Sequence, residues 1–487
     1  MNANLTNALK ALLRIRKAYT IMSNIYQIEQ DYASKLAAQD GSTRISASSR
    51  RRSFDFSLAA GVDDFSSLSD NPVDHFIHVG LCFSYGMLQW ALSIVPAPFD
   101  KALAFMSFKG DRTVGHSLMW EATKYPEDIH GALSSFTTLI IYNGLSSRCD
   151  IRPADAVPYD RVTALLQNLR RLYPDSHKWD VQQAMMLASH ERKLEEAIQV
   201  LQPGVEDKQA PKFITALCVF EQGCKYLFAH NYDACAKSFT ELPKYTDWSV
   251  ALFHYIVGIS YVDAHRKALR NGGDPEQTKR YAALANKSLS LVMGECGKRK
   301  VLGRPVPIEV YVKNNMNRYL AKQAAQKCTL VEAIDVSPAE ELIWLHGAHD
   351  SMPEAQLQVS LEELESYKTA NDEEAARTAL LKAACLRSLG QISSAREEIE
   401  QHVLIHTSTA RNWGRHASNW VLPAADYEVA VCLWHEAGPD KQDQAKLRAC
   451  AEHLKAASKA SGHDLQTFQG IKISTGIGTL KKLGIEV

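Results

Sequence analysis

At 487 residues the chain is longer than one hydrophobic core ordinarily serves, and its balance of 46% hydrophobic to 23% charged residues excludes wholesale disorder. Lysine plus arginine number 55 and aspartate plus glutamate also 55, so no net field draws the chain to nucleic acid or to anionic lipid. The ten cysteines include no CxxC pair of the kind used by structural zinc or thioredoxin-type chemistry; they read as small buried hydrophobes in a reducing compartment.

In chain order, Leu5, Leu9, Leu12, Tyr19, Met22 and Tyr26 recur at helical spacing, with Ile21, Ile25 and Ile28 widening the stripe. Residues 1–39 are therefore expected to form an N-terminal amphipathic helix, which packs on the main body or lies on a membrane or lipid-droplet surface. The segment lacks the apolar core and small-residue cleavage site of a secretion signal. Arg14, Arg16 and Lys17 suit a transit peptide, whereas Glu29 and Asp31 oppose one. Residues 40–72 are rich in serine and arginine and too poor in apolar periodicity to bury surface, which reads as a disordered linker. Within it Arg50, Arg51 and Arg52 precede Ser53, a candidate phosphorylation site for a basophilic kinase; the bland reading is a solvated tract.

Residues 73–175 read as a helical subdomain. Between Asp74 and Asp100 there is no formal charge, and residues 76–95 approach the length of a bilayer crossing. His75, His78, Ser84, Gln89 and Ser93 argue instead for a buried core helix, ended by Pro96 and Pro98. The triplet Gly110, Asp111, Arg112 suits a tight turn in which glycine takes a positive φ and the aspartate caps the next helix. Arg112 is then placed to pair with Glu121 or with a partner's carboxylate.

Residues 176–487 read as helices with breaks at Pro, Gly or Asn and no alternating strand. Gly223 and Tyr226 fall three apart in one helix, with Cys235 and Phe239 in the next; Gly258 and Tyr261 repeat that register. A small residue where two helices cross, flanked by aromatics, is the tetratricopeptide pattern. Degenerate copies place Ala184, Ala197 and Leu201, then Ala383, Gly390, Ala395 and Ile399, then Ala430, Ala449 and Leu454 in equivalent slots. The fold class is all-α: tetratricopeptide-like hairpins stacked into a superhelix, since no hairpin buries its own apolar face alone.

Catalytic and cofactor patterns are missing. GECGKRK at 294–300 has the wrong spacing for a phosphate loop, GHSLM at 115–119 lacks the last glycine of a nucleophile elbow, and GIGTLKKLG at 476–484 is no dinucleotide fingerprint. His402 and His406 fall four apart on a predicted helix, with His416 nearby, but without an HExxH pattern they read as surface histidines. Lys298, Arg299 and Lys300 read as a solvated loop. No catalytic residue, cofactor or metal site is expected, and no nucleic acid partner.

The run Gly86, Leu92, Ser93, Pro96, Pro98, followed by Phe108, Gly110, Asp111, Arg112, Gly115 and Glu121, resembles the signature of the fungal inclusion-body clearance proteins, relatives of animal tetratricopeptide repeat protein 39. Glu341, Leu342, Trp344, Met352 and Pro353 resemble a second segment of that family, and ISTGIGTLKK its closing helix. His346 and Gly347 depart from it, standing where the family usually has Trp and Asn. The resemblance spans residues 75–487. It implies a non-catalytic protein of the cytoplasm and nucleus that associates with lipid-droplet and inclusion-associated proteins and aids clearance of inclusions after folding stress. It carries over no active site. The alternative is an adaptor anchored to the mitochondrial outer membrane or a lipid droplet through residues 76–95 or the N-terminal helix.

Overall fold

The computed structural model describes residues 2–39, 71–94, 110–153, 155–301, 304–334, 336–410, 413, 417–460 and 462–487. Ser53, Pro96, Pro98 and His416 lie outside the described residues, as does nearly all of the expected linker. Among the described residues there are twenty α-helices, and the sole sheet is a two-residue antiparallel pairing of Lys300–Val301 with Arg304–Pro305. The chain is all-α, as its periodicity predicts. It divides into two compact units, residues 1–145 with 157–174, and residues 146–156 with 175–487.

The first unit contains α1 (Asn2–Gln39), α2 (Pro72–Ser93), α3 (Arg112–Ala122), α4 (Ile129–Ile140) and α5 (Tyr159–Leu172). Pro72 suits the first turn of α2 because its missing N–H has no helical partner there, while the Asn71 side chain accepts from the Val73 N–H at 2.9 Å. Val79, Leu81, Cys82 and Tyr85 of α2 pack with Leu118 and Ala122 of α3 and with Tyr19, Met22, Ile25 and Tyr26 of α1. The segment weighed as a span is thus a helix covered at its centre. Among the described residues no helix is long and apolar enough to cross a membrane.

The second unit is built from hairpins of consecutive helices: α6 (Lys178–Glu191) with α7 (Leu194–Glu206), α8 (Lys212–Phe228) with α9 (Tyr232–Glu241), and α10 (Val250–Arg270) with α11 (Pro275–Glu295). Four helices intervene, α12 (Pro307–Gln326), the single turn α13 (Leu330–Ala333), α14 (Pro338–Leu345) and α15 (Glu354–Ser366). Hairpins resume with α16 (Asp372–Ser388) and α17 (Ile392–His402), then α18 (Val421–Glu436) and α19 (Gln444–Lys459), and α20 (Gln466–Lys482) closes the unit. Each hairpin turn contains a left-handed residue: Arg192 (φ 55°), His230 (54°), Gly272 (63°), Gly390 (80°) and, in the last, Gly438 (82°) with Lys441 (54°). That conformation reverses the chain after a helix end, and glycine adopts it without a Cβ clash.

The helices α10, α16 and α18 are buried on nearly every side, so they form the spine against which the others pack. Residues 146–156, which interrupt the first unit in sequence, belong to the second. There Thr479 of α20 donates to the Ile151 carbonyl at 3.2 Å, and Lys472 reaches Asp150 at the same distance. The expected division near residue 175 is therefore crossed by this excursion.

Candidate functional site

Gly86, Leu92, Ser93, Gly110 and Gly115 of the first family-like run come together where α2 crosses α3; Pro96, Pro98 and Phe108 lie outside the described residues. A Cβ built on Gly86 would lie 3.0 Å from the Gly115 carbonyl oxygen, and one on Gly115 2.8 Å from that of Gly86, so the two backbones touch. Gly110 does not take the expected positive φ; its constraint is space, because a Cβ there would fall 2.3 Å from the Ser93 nitrogen. Asp111 caps α3 by accepting from the Thr113 and Val114 N–H groups at 2.8 and 3.1 Å. Glu121 is buried and pairs with Lys124 at 2.9 Å.

In the repeats, Gly223 of α8 faces Phe239 of α9, and Gly258 of α10 faces Leu289 of α11. Tyr261 stacks on Tyr281 with ring centroids 6.1 Å apart, and Tyr226 packs against the core. Gly390 makes the turn after α16, and Ala395 of α17 is fully buried. His402 and His406 do not share a helix: His402 ends α17, Val403 turns the chain (φ −118°, ψ −56°), and His406 sits in a separate turn at residues 404–406.

The densest chemistry lies on α14, inside the interruption that the repeat pattern skips. Asp263 of α10 accepts from Ser337 Oγ at 3.0 Å and the Ala339 N–H at 3.2 Å, which seats the N-terminus of α14 on the spine helix. Glu340 and Glu341 follow, both essentially without solvent exposure. Glu341 accepts from Tyr311 at 2.8 Å and Arg377 at 2.7 Å, with Asn315 at 3.4 Å and Arg318 at 3.5 Å beside it. Glu340 Oε1 accepts from His230 Nε2 at 2.9 Å and Ser360 Oγ at 3.1 Å. Burial opposes a charge on His230, yet the hydrogen bond to Glu340 holds its imidazole above the ordinary histidine range.

Trp344, one helical turn on, stacks on Trp420 with centroids 5.1 Å apart and donates to Glu428 at 3.0 Å. Glu428 in turn accepts from Arg387 Nε at 2.9 Å, and Arg387 reaches Asp150 at 3.3 Å and Asp350 at 3.4 Å. Burial disfavours a charged Asp150, but Lys472, Arg387 and the Tyr427 hydroxyl together hold its carboxyl well below the usual carboxylate range. Gly347 has φ 63°, a conformation that glycine and asparagine both tolerate, so the departure at that position keeps the backbone geometry.

Next to this network opens a cavity of about 910 Å³. Arg152, Arg192, Arg387, Lys441 and Lys482 line it against Asp150, Asp350 and Asp440, an excess of cations. Arg192, left-handed at its hairpin turn, donates to the Asp350 and Ser388 carbonyls at 3.1 Å each and so fixes one wall. Among the described residues, two buried groups bring metal-ligating atoms within 4.8 Å of one another: Glu340, His349 and Cys385, and Glu340, His230 and Glu363. Sequence reading missed them because no motif spacing connects these positions. The left-handed turn at His230, where the later hairpins place glycine, lies in the region, and a backbone conformation of that kind leaves no mark in the order of residues.

A family model described as Iml2/Tetratricopeptide repeat protein 39 matches residues 1–389, so the similarity begins well ahead of residue 75. The chain is 28% identical over 556 residues to "Inclusion body clearance protein iml2" of Aspergillus terreus, covering 99% of this chain and 80% of that protein. It is 28% identical over 539 residues to the protein of that name from Sclerotinia sclerotiorum, covering 99% and 79%, and 25% over 564 residues to that of Yarrowia lipolytica, covering 97% and 77%. No solved structure matches the chain.

Proposed function

The chain belongs to the Iml2/tetratricopeptide repeat protein 39 family, and on that premise we propose that it is a non-catalytic repeat scaffold that aids clearance of misfolded-protein inclusions after folding stress. Its partners in this reading are lipid-droplet and inclusion-associated proteins, met in the cytoplasm and nucleus. The observation that carries the reading is the cation-rich cavity of about 910 Å³, whose walls are hairpin turns and helix ends fixed from behind by buried ion pairs. A rigid wall of this kind suits capture of an acidic peptide segment, because the cationic side chains are held in place before the partner arrives. The acid and base groups of α14 support a structural role, since Glu340 and Glu341 are sealed from solvent.

Proximity labelling with and without folding stress tests this. Inclusion-associated proteins should be labelled by the wild-type chain under stress and lost with Lys482→Glu combined with Arg152→Glu. A labelled set that neither stress nor the charge reversal changes would sink the reading.

A second reading, peripheral contact with a lipid droplet, is favoured by α1. Leu13, Ile21 and Ile28 are 56%, 48% and 67% exposed on a helix whose Tyr19, Met22, Ile25 and Tyr26 pack inward.

A further inference from the structure

We propose that Glu340, His349 and Cys385 form a buried zinc site that joins α14, the turn at residues 349–351 and α16. Three observations converge on it. Glu340 Oε2 and His349 Nε2 are both buried without a hydrogen-bond partner, in residues only 0% and 2% exposed. A buried polar atom without a hydrogen-bond partner costs stability, and a metal ion between these two would satisfy both. They lie 3.9 Å apart, a distance that makes an ion pair when His349 is protonated but is too far for a hydrogen bond. Two nitrogen or oxygen ligands of a tetrahedral zinc ion are about 3.4 Å apart, so a small inward movement of either side chain closes the site. The Cys385 sulfur, fully buried, lies within 4.8 Å of a ligating atom of each of these two residues.

The donor set names the metal class. A thiolate, an imidazole and a carboxylate suit a borderline-soft cation; magnesium and calcium would ask for oxygen ligands throughout. Binding displaces the thiol proton of Cys385 to solvent and leaves the ion held by sulfur, nitrogen and oxygen, with water completing the shell. No electron transfer is involved.

The surroundings are arranged for such a site. The other Glu340 oxygen is held by His230 and Ser360, which fixes the carboxylate plane and aims Oε2 at His349. His230 does this from a left-handed backbone conformation, φ 54°, at a hairpin turn whose equivalents are Arg192, Gly272, Gly390 and Gly438. Ligands from three elements separated in sequence would make the ion a staple for the segment that interrupts the hairpins.

The experiment is metal analysis of the full chain, purified without a histidine tag and without chelator. About one zinc per chain should survive gel filtration, and cobalt exchanged into the protein should show a thiolate-to-metal charge-transfer band. Both signals should vanish in Cys385→Ser and in His349→Gln and persist in Cys432→Ser, which alters a buried thiol elsewhere in the same unit. A chelator should lower the wild-type melting temperature. If the Cys385 and His349 variants fail to fold, the wild-type measurements decide alone. Less than about a tenth of a zinc per chain, no uptake when zinc is supplied during refolding, and no chelator effect would overturn the proposal. Zinc retained in folded Cys385→Ser and His349→Gln would overturn it as well.

Discussion

Arg377 Nη1 lies 2.7 Å from Glu341 Oε1, and neither side chain has any solvent exposure. The pair ties α16 to α14, and Arg377 continues to Glu373 at 3.3 Å. Inside a protein the attraction roughly offsets the cost of removing both charges from water, so the pair matters most when it is broken on one side. Glu341→Ala should therefore destabilise the second unit by about 3–5 kcal/mol, leaving a guanidinium without its principal carboxylate. The double change Glu341→Leu with Arg377→Met should cost less than that single one. Urea unfolding midpoints of the three proteins check the order, and a double variant less stable than Glu341→Ala would contradict it.

Glycines within the helices of this chain include crowded and open positions, and alanine substitution should tell them apart. On Gly258 a Cβ would fall 2.5 Å from Leu289 Cγ, inside the α10–α11 crossing. Gly258→Ala should cost about 1–3 kcal/mol through overpacking. Gly478 sits inside α20, about one turn before its end, where a Cβ would meet nothing within 4 Å. There the alanine only removes backbone freedom from the unfolded chain, and stability should rise by about 0.5–1 kcal/mol. Thermal melts of both variants provide the comparison.

What the sequence shows and what it hides follow from the range of the interactions. Gly223 with Tyr226 and Gly258 with Tyr261 are legible because a small residue and an aromatic three positions on announce a helix crossing within a few turns of chain. The cap at Asp111 is legible for the same local reason. Glu340, Glu341, Arg377 and Arg387 are not, since charged residues on a helical pattern read as a solvated face. Their burial depends on partners tens to hundreds of residues away, such as Tyr311, Glu428 and Asp150. Gly110 misleads in another way: the sequence announces a special backbone position, and the close approach of Leu92 and Ser93, not φ, is what makes it special.

His177 should give the second unit a measurable pH dependence. Its Nδ1 lies 2.8 Å from Asp180 and its Nε2 3.3 Å from Asp207. The hydrogen bond to Asp180 is the main cause that raises its pKa; burial opposes it, and Asp207 adds to the rise. A raised histidine contributes stability that is fully present below the unfolded value near 6.5 and is lost as pH climbs through the folded value. His177→Gln should thus be clearly less stable than wild type at about pH 6 and nearly equal to it at about pH 8.5. Melting temperatures at both pH values measure the gap, and a constant gap would show that the two carboxylates do not hold the proton.

The N-terminal helix should separate docking from surface contact. Tyr19 and Tyr26 of α1 meet Tyr85 of α2 at centroid distances of 5.9 and 5.6 Å, and Glu29 reaches the buried His78 at 3.0 Å. These contacts face inward, so Tyr26→Ala should lower the stability of the first unit by about 1–3 kcal/mol. Ile21 and Ile28 lie 48% and 67% exposed, and replacing both with serine removes apolar surface that packs little in the folded chain. That double variant should stay within about 0.5 kcal/mol of wild type while floating less with triolein droplets coated in phosphatidylcholine. Unchanged flotation would leave α1 with docking alone, because an apolar stripe that grips a droplet surface loses binding in proportion to the area removed.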